Sequence, residues 1–369
     1  MVNAGSRLLG AGLLFSLCAV TAAPADAAGT ERGEPTADVV RAMTSVMTEF
    51  VDRRTRALLL TGAARPFTRT LGALTGESTA VATAERAALA ELAGRAGVLA
   101  EWGQTYQDGH STVTVERIAV DRSGLVGVDA VEHTVLRFRT PASPRPETSS
   151  WESRRRFVFE PAGGRWVLRS QRRLEAGPAD VNEPTGATVA ESRAALAGLP
   201  RPVPGGPTMA PSATRVRKGA VAAYAERYYR RYNPKYRSYH GKGGDCTNFV
   251  SQAMRAGGWS HDTGWYRSAE NWWYNSYNES RTWVNVGMWY QFAAVHSKRT
   301  KRLRHPRDLR TGDVLQVDFD GDGGKDHSMI VSRYDGQPRL TYHSESRYRK
   351  PLSELLAAHP RARWLPHRT

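Results

Sequence analysis

The sequence predicts an α+β fold in two domains, in which a small helix-plus-antiparallel-sheet domain precedes a second α+β domain. Between residues 36 and 102 apolar side chains recur at helical spacing, and from residue 111 to 172 they alternate as in strands. The 369 residues are too many for one ordinary core. The charge is also divided: after Thr214 there are 28 Lys and Arg but only 14 Asp and Glu, which gives this part most of the net charge of +16.

The first 27 residues have the pattern of a secretion signal peptide. Arg7 supplies the positive charge, residues 8–20 the apolar run, and Ala25-Asp26-Ala27 the cleavage site. The run is too short to span a membrane, and no later stretch is longer. We therefore expect a secreted protein, extracellular or associated with the cell wall, with no transmembrane segment after cleavage. Cleavage would also remove Cys18.

Residues 28–174 predict an α+β accessory domain without a catalytic cluster. Two helices are expected first, and the alternating part predicts a four-strand meander with a hairpin turn at Gly163-Gly164. The predicted helices cover residues 36–51 and 83–102, and the strands cover 112–120, 126–139, 150–160 and 166–172. A binding, spacer or prodomain role fits this part best.

Residues 175–214 predict a Pro/Gly/Ala-rich linker. Prolines recur from Pro178 to Pro211, and the stretch 199–207 can form neither a helix nor a central strand. We expect a semi-extended hinge that limited proteolysis would cut. The second domain, residues 215–369, then begins with a helix over residues 218–232, which Asn233-Pro234 ends.

Cys246 is predicted to lie at or just before the start of a helix. A glycine-rich turn precedes it, and Gly257-Gly258 supplies the stop. The buried face of this helix is expected to consist of Phe249, Val250, Ala253 and Met254. Free N–H groups and the helix dipole at such a position favour the nucleophilic thiolate. The alternative is a buried cysteine that acts as a small apolar residue. Polar neighbours, and the hazard of a single thiol in an oxidising compartment, favour the nucleophile.

Six of the ten tryptophans fall between Trp259 and Trp289. Adjacent Trp272 and Trp273 cannot both face inward from one regular element, so at least one is expected to line a groove for sugar rings or peptide side chains. Pure packing is the alternative reading. The basic run 298–304 is interpreted as a solvated face, with a polyanion site as the alternative.

The acidic loop after residue 317 resembles part of a calcium-binding loop. Asp318, Asp320, Asp322 and Asp326 occupy relative positions 1, 3, 5 and 9, with glycine at 6. Position 12 is Met329 rather than glutamate, so a weak structural calcium site competes with a metal-free acidic hairpin. The chemistry expected of the protein requires no cofactor.

His327 and His343 are predicted to flank a hairpin that turns at Gly336. If the strands pair symmetrically about that glycine, odd-numbered residues share one face and the two histidines are diagonal neighbours. A nucleophilic cysteine, a base and a residue that orients the base are the parts of a thiol acyl-transfer site. Asn285 and Asp326 are alternative orienting residues.

Five blocks in order carry a family resemblance: Tyr-Asn-Pro-Lys-Tyr236, Gly-Gly-Asp-Cys-Thr-Asn-Phe-Val-Ser-Gln252, Gly-Asp-Val-Leu-Gln316, Asp-His-Ser-Met-Ile-Val331 and Tyr-His-Ser344. Over residues 216–368 the chain resembles the putative amidase domain family of secreted bacterial proteins, a branch of the papain-like fold related to NlpC-type murein peptidases. The resemblance implies a papain-like C-terminal domain in which a helix that carries the nucleophile packs on an antiparallel sheet.

The resemblance also implies roles for individual residues. Cys246 would be the nucleophile, His327 the base and His343 the polar residue that orients it. NlpC-type enzymes also use an upstream tyrosine near the oxyanion, for which Tyr236 and Tyr239 are candidates. Apart from the resemblance, Asp245, Trp272 and Trp273 are further candidates for contact with the oxyanion or the substrate.

The expected function is hydrolysis of amide bonds, in cell-wall peptide, by a secreted cysteine amidase or peptidase. The expected partner is peptidoglycan or another anionic wall polymer, because the basic half would attract polyanions, and no dedicated nucleic-acid site is expected. Two alternatives stay open. One is a non-catalytic wall-binding module with a basic, aromatic surface, and the other is a thiol acyltransferase.

Overall fold

A computed structural model describes residues 35–59, 75–140, 143–199, 216–239, 245–343 and 346–369, all within one compact unit that begins at Pro35. The predicted signal peptide and residues 200–215 lie outside the described residues. The helices are α1 (Ala37–Arg56), α2 (Thr79–Trp102), α3 (Val189–Ala197), α4 (Lys218–Tyr228), α5 (Asp245–Ala256), α6 (Arg281–Val284), α7 (Val286–Tyr290) and α8 (Leu352–Ala358). The strands are β1 (Thr75–Glu77), β2 (Thr105–Val120), β3 (Val126–Thr140), β4 (Ser143–Ala162), β5 (Arg165–Arg173), β6 (Lys301–Arg302), β7 (Val314–Asp318), β8 (His327–Tyr334), β9 (Pro338–Tyr342), β10 (Ser346–Pro351) and β11 (Arg363–Arg368). These helices and a large mixed sheet confirm the α+β class.

The N-terminal half consists of two helices and a long antiparallel meander. Side chains of Thr36 and Ser78 cap the N-termini of α1 and α2, and α1 packs against β2. Strands β2 to β5 pair in sequence order, and the turn between β4 and β5 uses positive φ angles at Gly163 and Gly164. The two predicted helices and the four-strand meander are therefore present, but β1 lies between the helices and β2 begins earlier than the alternation indicated.

Strand β4 joins the two halves of the chain into one sheet. One edge of β4 pairs with β3, while the other edge pairs with β5 and, beyond it, with β10. In the contact with β10, Trp151 lies opposite Arg347. The described strands follow the order β1-β5-β4-β10-β9-β8-β7-β11-β6, with β3 and β2 branching from β4. A shared apolar core follows the same course, because Leu92 and Leu99 of α2 cluster with Leu315 and Leu340.

Residues 175–199 differ from the semi-extended linker that the sequence indicated. Asp180, Asn182 and Glu183 are buried, and α3 begins with a capping box formed by Thr188 and Glu191. Helix α3 packs against α2 and α8, so it touches both halves. Polar side chains anchor this segment in spite of its prolines. The domain boundaries themselves stay a prediction.

The C-terminal half places helices on both faces of the antiparallel strands β7, β8 and β9. Helices α4 and α5 pack on one face, where Ile330 and Val314 meet the buried apolar face of α5. Helix α8 lies on the other face, with Met329 and Val331. Among the described residues, no helix combines the length and the apolar character that crossing a bilayer requires.

Candidate active site

Cys246 is the second residue of α5, and its thiol lies against the start of β8. The residue is only 7% exposed. The backbone N–H of Ser328 donates to Sγ, and the hydroxyl of Thr247 lies 3.8 Å from it. Burial nevertheless raises the pKa of the thiol above its usual value. Cys246 therefore rests as a protonated thiol beside the residue that follows His327.

His327 is the first residue of β8, and a main-chain carbonyl fixes its imidazole. The Nε2 atom lies 3.0 Å from the backbone oxygen of His343. A carbonyl only accepts hydrogen bonds, so Nε2 carries the proton and the lone pair of the neutral ring is on Nδ1. Burial, assisted by the positive charges of Arg347 and Arg173, lowers the pKa of His327 to about 3. The ring is thus held as a neutral proton acceptor.

The hairpin of β8 and β9 corrects the predicted arrangement of the two histidines. The turn does lie at Gly336, and Arg333 pairs with Arg339 as symmetric pairing requires. A bulge next to Val331 then shifts the register, so that Val331 pairs with Leu340. Because side chains alternate between the faces of a sheet, a shift of one residue exchanges the faces.

After this shift, His327 and His343 point to opposite faces of the sheet. His327 shares a face with its partner Val317, and its ring meets that of Tyr342 edge to face at 5.1 Å. The ring of His343 stacks on Phe249 of α5 at 4.1 Å, on the face that also carries Ser328. The predicted contact between the His343 side chain and His327 is therefore wrong, and the group that contacts the imidazole is the His343 carbonyl.

The side chain of His343 forms an ion pair at the start of α5. Its Nδ1 bonds to the carboxylate of Asp245, and its Nε2 lies 2.9 Å from the carbonyl oxygen of Tyr228. Since both partners are acceptors, the doubly protonated imidazolium satisfies both contacts. Burial would raise the pKa of Asp245, but His343 and the donors of Tyr239 and Asn248 lower it overall.

The alternative orienting residues have other tasks. The side chain of Asn285 accepts from the N–H of Met288 and caps α7. Asp326 accepts from the N–H of Phe319 at 2.7 Å and so closes the acidic loop.

Of the two candidate tyrosines, only Tyr239 forms a hydrogen bond with the residue next to Cys246. The backbone N–H of Tyr239 donates to Asp245 at 3.0 Å, and its hydroxyl bonds to Glu279. The ring of Tyr236 stacks on Trp283 at the edge of the tryptophan cluster. Tyr239 is therefore the candidate joined to the first turn of α5.

Trp272 belongs to the core, so of the two adjacent tryptophans it is not the one that lines a groove, and it is not placed to contact a substrate. It is fully buried, stacks on Phe292 and donates from Nε1 to Ser251 at 3.1 Å. Trp273 is half-buried and donates to the carbonyl of Gly264 at 3.0 Å. The large aromatic side chains that reach the surface here are Trp265, 65% exposed, and Tyr277, 95% exposed.

Three of the four acidic loop residues bring their carboxylates together. Oxygens of Asp318, Asp320 and Asp326 lie within 4.8 Å of one another, whereas Asp322 is not part of the group. The carboxylate of Asp318 already accepts from the N–H groups of Gly321 and Gly323. These bonds close the loop without an ion, so a calcium site here stays a prediction.

Comparison with known proteins supports the family assignment of the C-terminal half. Residues 215–365 match the family described as putative amidase domain. The chain is also similar to two proteins of Bacillus subtilis (strain 168) described as uncharacterized. It is 34% identical to YhbB over 140 residues, which is 36% of this chain and 43% of that protein. It is 33% identical to YjcM over 142 residues, which is 36% of this chain and 32% of that protein. The chain thus covers less than half of either relative. The match shows that residues 215–365 resemble the amidase-domain family.

One solved structure matches part of the chain, but the similarity is too low to support a conclusion about the fold. The intermembrane space region of the chloroplast protein ARC6 matches 38% of this chain and 98% of that chain, with a TM-score of 0.24 and 15% identity.

Proposed function

We propose that the protein hydrolyses amide bonds through a thioester formed on Cys246. The observation that carries this proposal is the contact of Sγ with the N–H of Ser328, the residue next to His327. Cys246 thus contacts the peptide unit that follows His327 inside the amidase-family match, while the His327 ring lies on the other face of β8. The packing of α5 on antiparallel strands supports a papain-like arrangement.

The reaction begins from two neutral groups, since burial disfavours both the thiolate and the imidazolium. Because the His327 ring lies on the face of the sheet opposite α5, substrate binding has to bring Sγ and the ring together at the end of β8. His327 then takes the proton from Sγ as Sγ attacks the amide carbonyl. Catalytic hydrogen bonds commonly tighten at this stage. The backbone N–H of Cys246 supports the oxyanion. The C–N bond then breaks, and the amine leaves with the proton from His327. Water cleaves the thioester, which releases the acid and restores the thiol.

The proposed substrate is cell-wall peptide, met outside the cell. The basic charge of the C-terminal half and the signal-like residues 1–27 support this choice. Peptide amides attached to an anionic polymer would be concentrated near the site by the same charge.

The test compares the purified protein with Cys246→Ser and His327→Ala, using mass spectrometry of digested peptidoglycan. We expect each variant to remain folded by circular dichroism and to lose about a thousandfold or more in kcat. His296→Ala is the matched control, because His296 is an exposed histidine of the same half, and it should keep full activity. Undiminished hydrolysis by Cys246→Ser would exclude the thioester. Products in which the acyl group is joined to a second amine would identify a transferase instead.

A further inference from the structure

A buried network of charged side chains lies where the two halves of the chain meet. Arg347 of β10 is fully buried and donates from Nη2 to Glu175 at 2.9 Å, and Asp180 lies 3.0 Å from the same nitrogen. Lys350 donates to the other oxygen of Asp180 at 2.7 Å. Both acids belong to the segment that the sequence assigned to the linker, while both bases belong to the amidase half. The network therefore connects the segment from Glu175 to Asp180 to strand β10 of the sheet that carries the candidate site.

Arg347 lies one strand away from the group that fixes His327. In the register of β9 and β10, Arg347 is directly opposite Tyr342. The ring of Tyr342 touches His327, and the next residue, His343, supplies the carbonyl that accepts from Nε2. The acids that bind Arg347 therefore help to fix β10 against β9, and the residue after β9, His343, supplies the carbonyl that sets the tautomer of His327.

The charge of Arg347 also acts on His327 directly. The positively charged groups that bear on the imidazole are Arg347, Arg173 and His343, and all three oppose its protonation. Asp180 and Glu175 carry the negative charges that pair with Arg347 and so offset its positive charge. Without them His327 would be a weaker base.

The network is not arranged for stability alone. Buried ion pairs contribute little net stability compared with apolar side chains of similar size. Within the described residues, Glu175 Oε2 and the hydroxyl of Tyr342 are buried and have no hydrogen-bond partner. Burial raises the pKa of Glu175 to about 7, against the opposing effect of Arg347 and Arg173 and with a smaller contribution from Asp180. A carboxyl that titrates at this value changes its charge in the neutral range.

We propose that Glu175 and Asp180 are positioning residues of the active site, which act through Arg347 to hold the His343 carbonyl against His327 and to offset the positive charge beside the imidazole. The inference rests on the function proposed above for Cys246 and His327. It gives the segment from Glu175 to Asp180 a task in the reaction although neither acid touches the substrate.

The activity test uses Glu175→Gln, which resembles the protonated form of the residue and leaves Lys350 paired with Asp180. Near pH 6, where Glu175 itself is protonated, wild type and variant should have equal kcat/KM. At about pH 8.5 the variant should be about three- to tenfold slower, because a loss of up to one pKa unit in the base weakens proton uptake by up to tenfold. The loss should be in kcat rather than KM. Glu191→Gln is the control and should follow wild type at every pH, because Glu191 is a partly exposed acid of α3 that pairs with Arg361. Equal rates for Glu175→Gln and wild type across the whole range would overturn the proposal.

A second measurement does not depend on activity. In wild type, long-range ¹H–¹⁵N spectra of the imidazoles should show His327 as the Nε2–H tautomer. Glu175→Gln should mix the tautomers of that ring near pH 8.5, where Glu175 of the wild type is ionised, and should match wild type near pH 6. Unchanged His327 signals in this variant would refute the positioning role even if Cys246 proves catalytic. If instead the wild-type protein shows no thiol-dependent hydrolysis but the His327 signals respond as expected, the proposed hydrolysis is wrong. The effect of Glu175 on the imidazole of His327 is then still supported.

Discussion

The imidazole of His327 is oriented by the main-chain carbonyl of His343. Because this acceptor belongs to the backbone, a substitution of the His343 side chain does not remove it. The side chain of His343 is therefore available for a separate contact with Asp245, the residue before Cys246. Asp245 is in the first turn of α5, and His343 also bonds to the carbonyl of Tyr228, the last residue of α4, so the ion pair links the two helices. Its expected effect is on the stability of the helix that carries the thiol rather than on the base.

His343→Ala tests this division of tasks. The substitution leaves the carboxylate of Asp245 buried without its partner, so we expect a loss of about 3 kcal/mol in the free energy of unfolding. His343→Gln, which can still donate one hydrogen bond, should recover part of that loss. Urea denaturation supplies the free energies, and imidazole NMR should show the His327 tautomer unchanged in both variants. A stable His343→Ala protein in which His327 has changed tautomer would show that the side chain, not the carbonyl, orients the base.

The hairpin of β8 and β9 illustrates what local patterns can and cannot predict. Its two strands and the turn at Gly336 follow from alternation and turn residues. The bulge does not, because Ser332, the extra residue, is neither glycine nor proline. Its hydroxyl meets Thr341 at 2.8 Å, a contact that exists only once the strands are paired. One unmarked residue thus decided which face of the sheet each histidine occupies.

Helix α4 and the C-terminal end of α5 are in close contact. A Cβ at Gly257 would lie 2.4 Å from Val221 and 3.2 Å from Val216, and the N–H of Arg217 donates to the carbonyl of Gly257. The sequence indicated a helix stop at this position but not the neighbour that requires the glycine. Positioning of the Cys246 helix therefore depends on the absence of a side chain at its far end.

Gly257→Ala should destabilise the protein by about 1–3 kcal/mol, because the added methyl group overpacks the contact with Val221. The matched control is Gly219→Ala in α4, where a Cβ would meet nothing within 4 Å. A better helix former at that site should be neutral or stabilise by up to about 1 kcal/mol. Thermal melts of both variants supply the comparison. Equal changes in Tm would argue against the close packing of the two helices.

Considered together, the two halves of the chain form one sheet and share one apolar core. The length of the chain, the uneven division of charge and the prolines of residues 175–214 predicted two separate domains. All three are properties of the sequence taken locally or as a total. None of them reports which strands pair over long distances. Partner choice for β4 depends on Trp151, Ser153 and Arg347 meeting in three dimensions, and no local period encodes that. The order of helices and strands was accessible from the sequence, whereas their joining was not.

Cleavage between residues 200 and 215 tests how firmly the halves are joined. A protease site inserted there should be cut without separating the fragments, since the pairing of β4 with β10 and the buried ion pairs of Asp180 remain intact. We expect the cut and uncut proteins to elute together from a sizing column and to melt in one transition. Fragments that separate and stay folded would restore the division into two independent domains.

The pairing of β4 with β10 also sets an order in time. Trp151 and Arg347 are 196 residues apart, so the strand edge offered by β4 stays unpaired until β10 has been synthesised. During that interval Glu175 and Asp180 stay hydrated, and an unpaired strand edge is open to association with other chains. Three serines, Ser149, Ser150 and Ser153, make this edge polar. The carbonyl that fixes His327 and the cations that meet the two acids are made long after both acids, so the candidate site can form only once β10 has been synthesised.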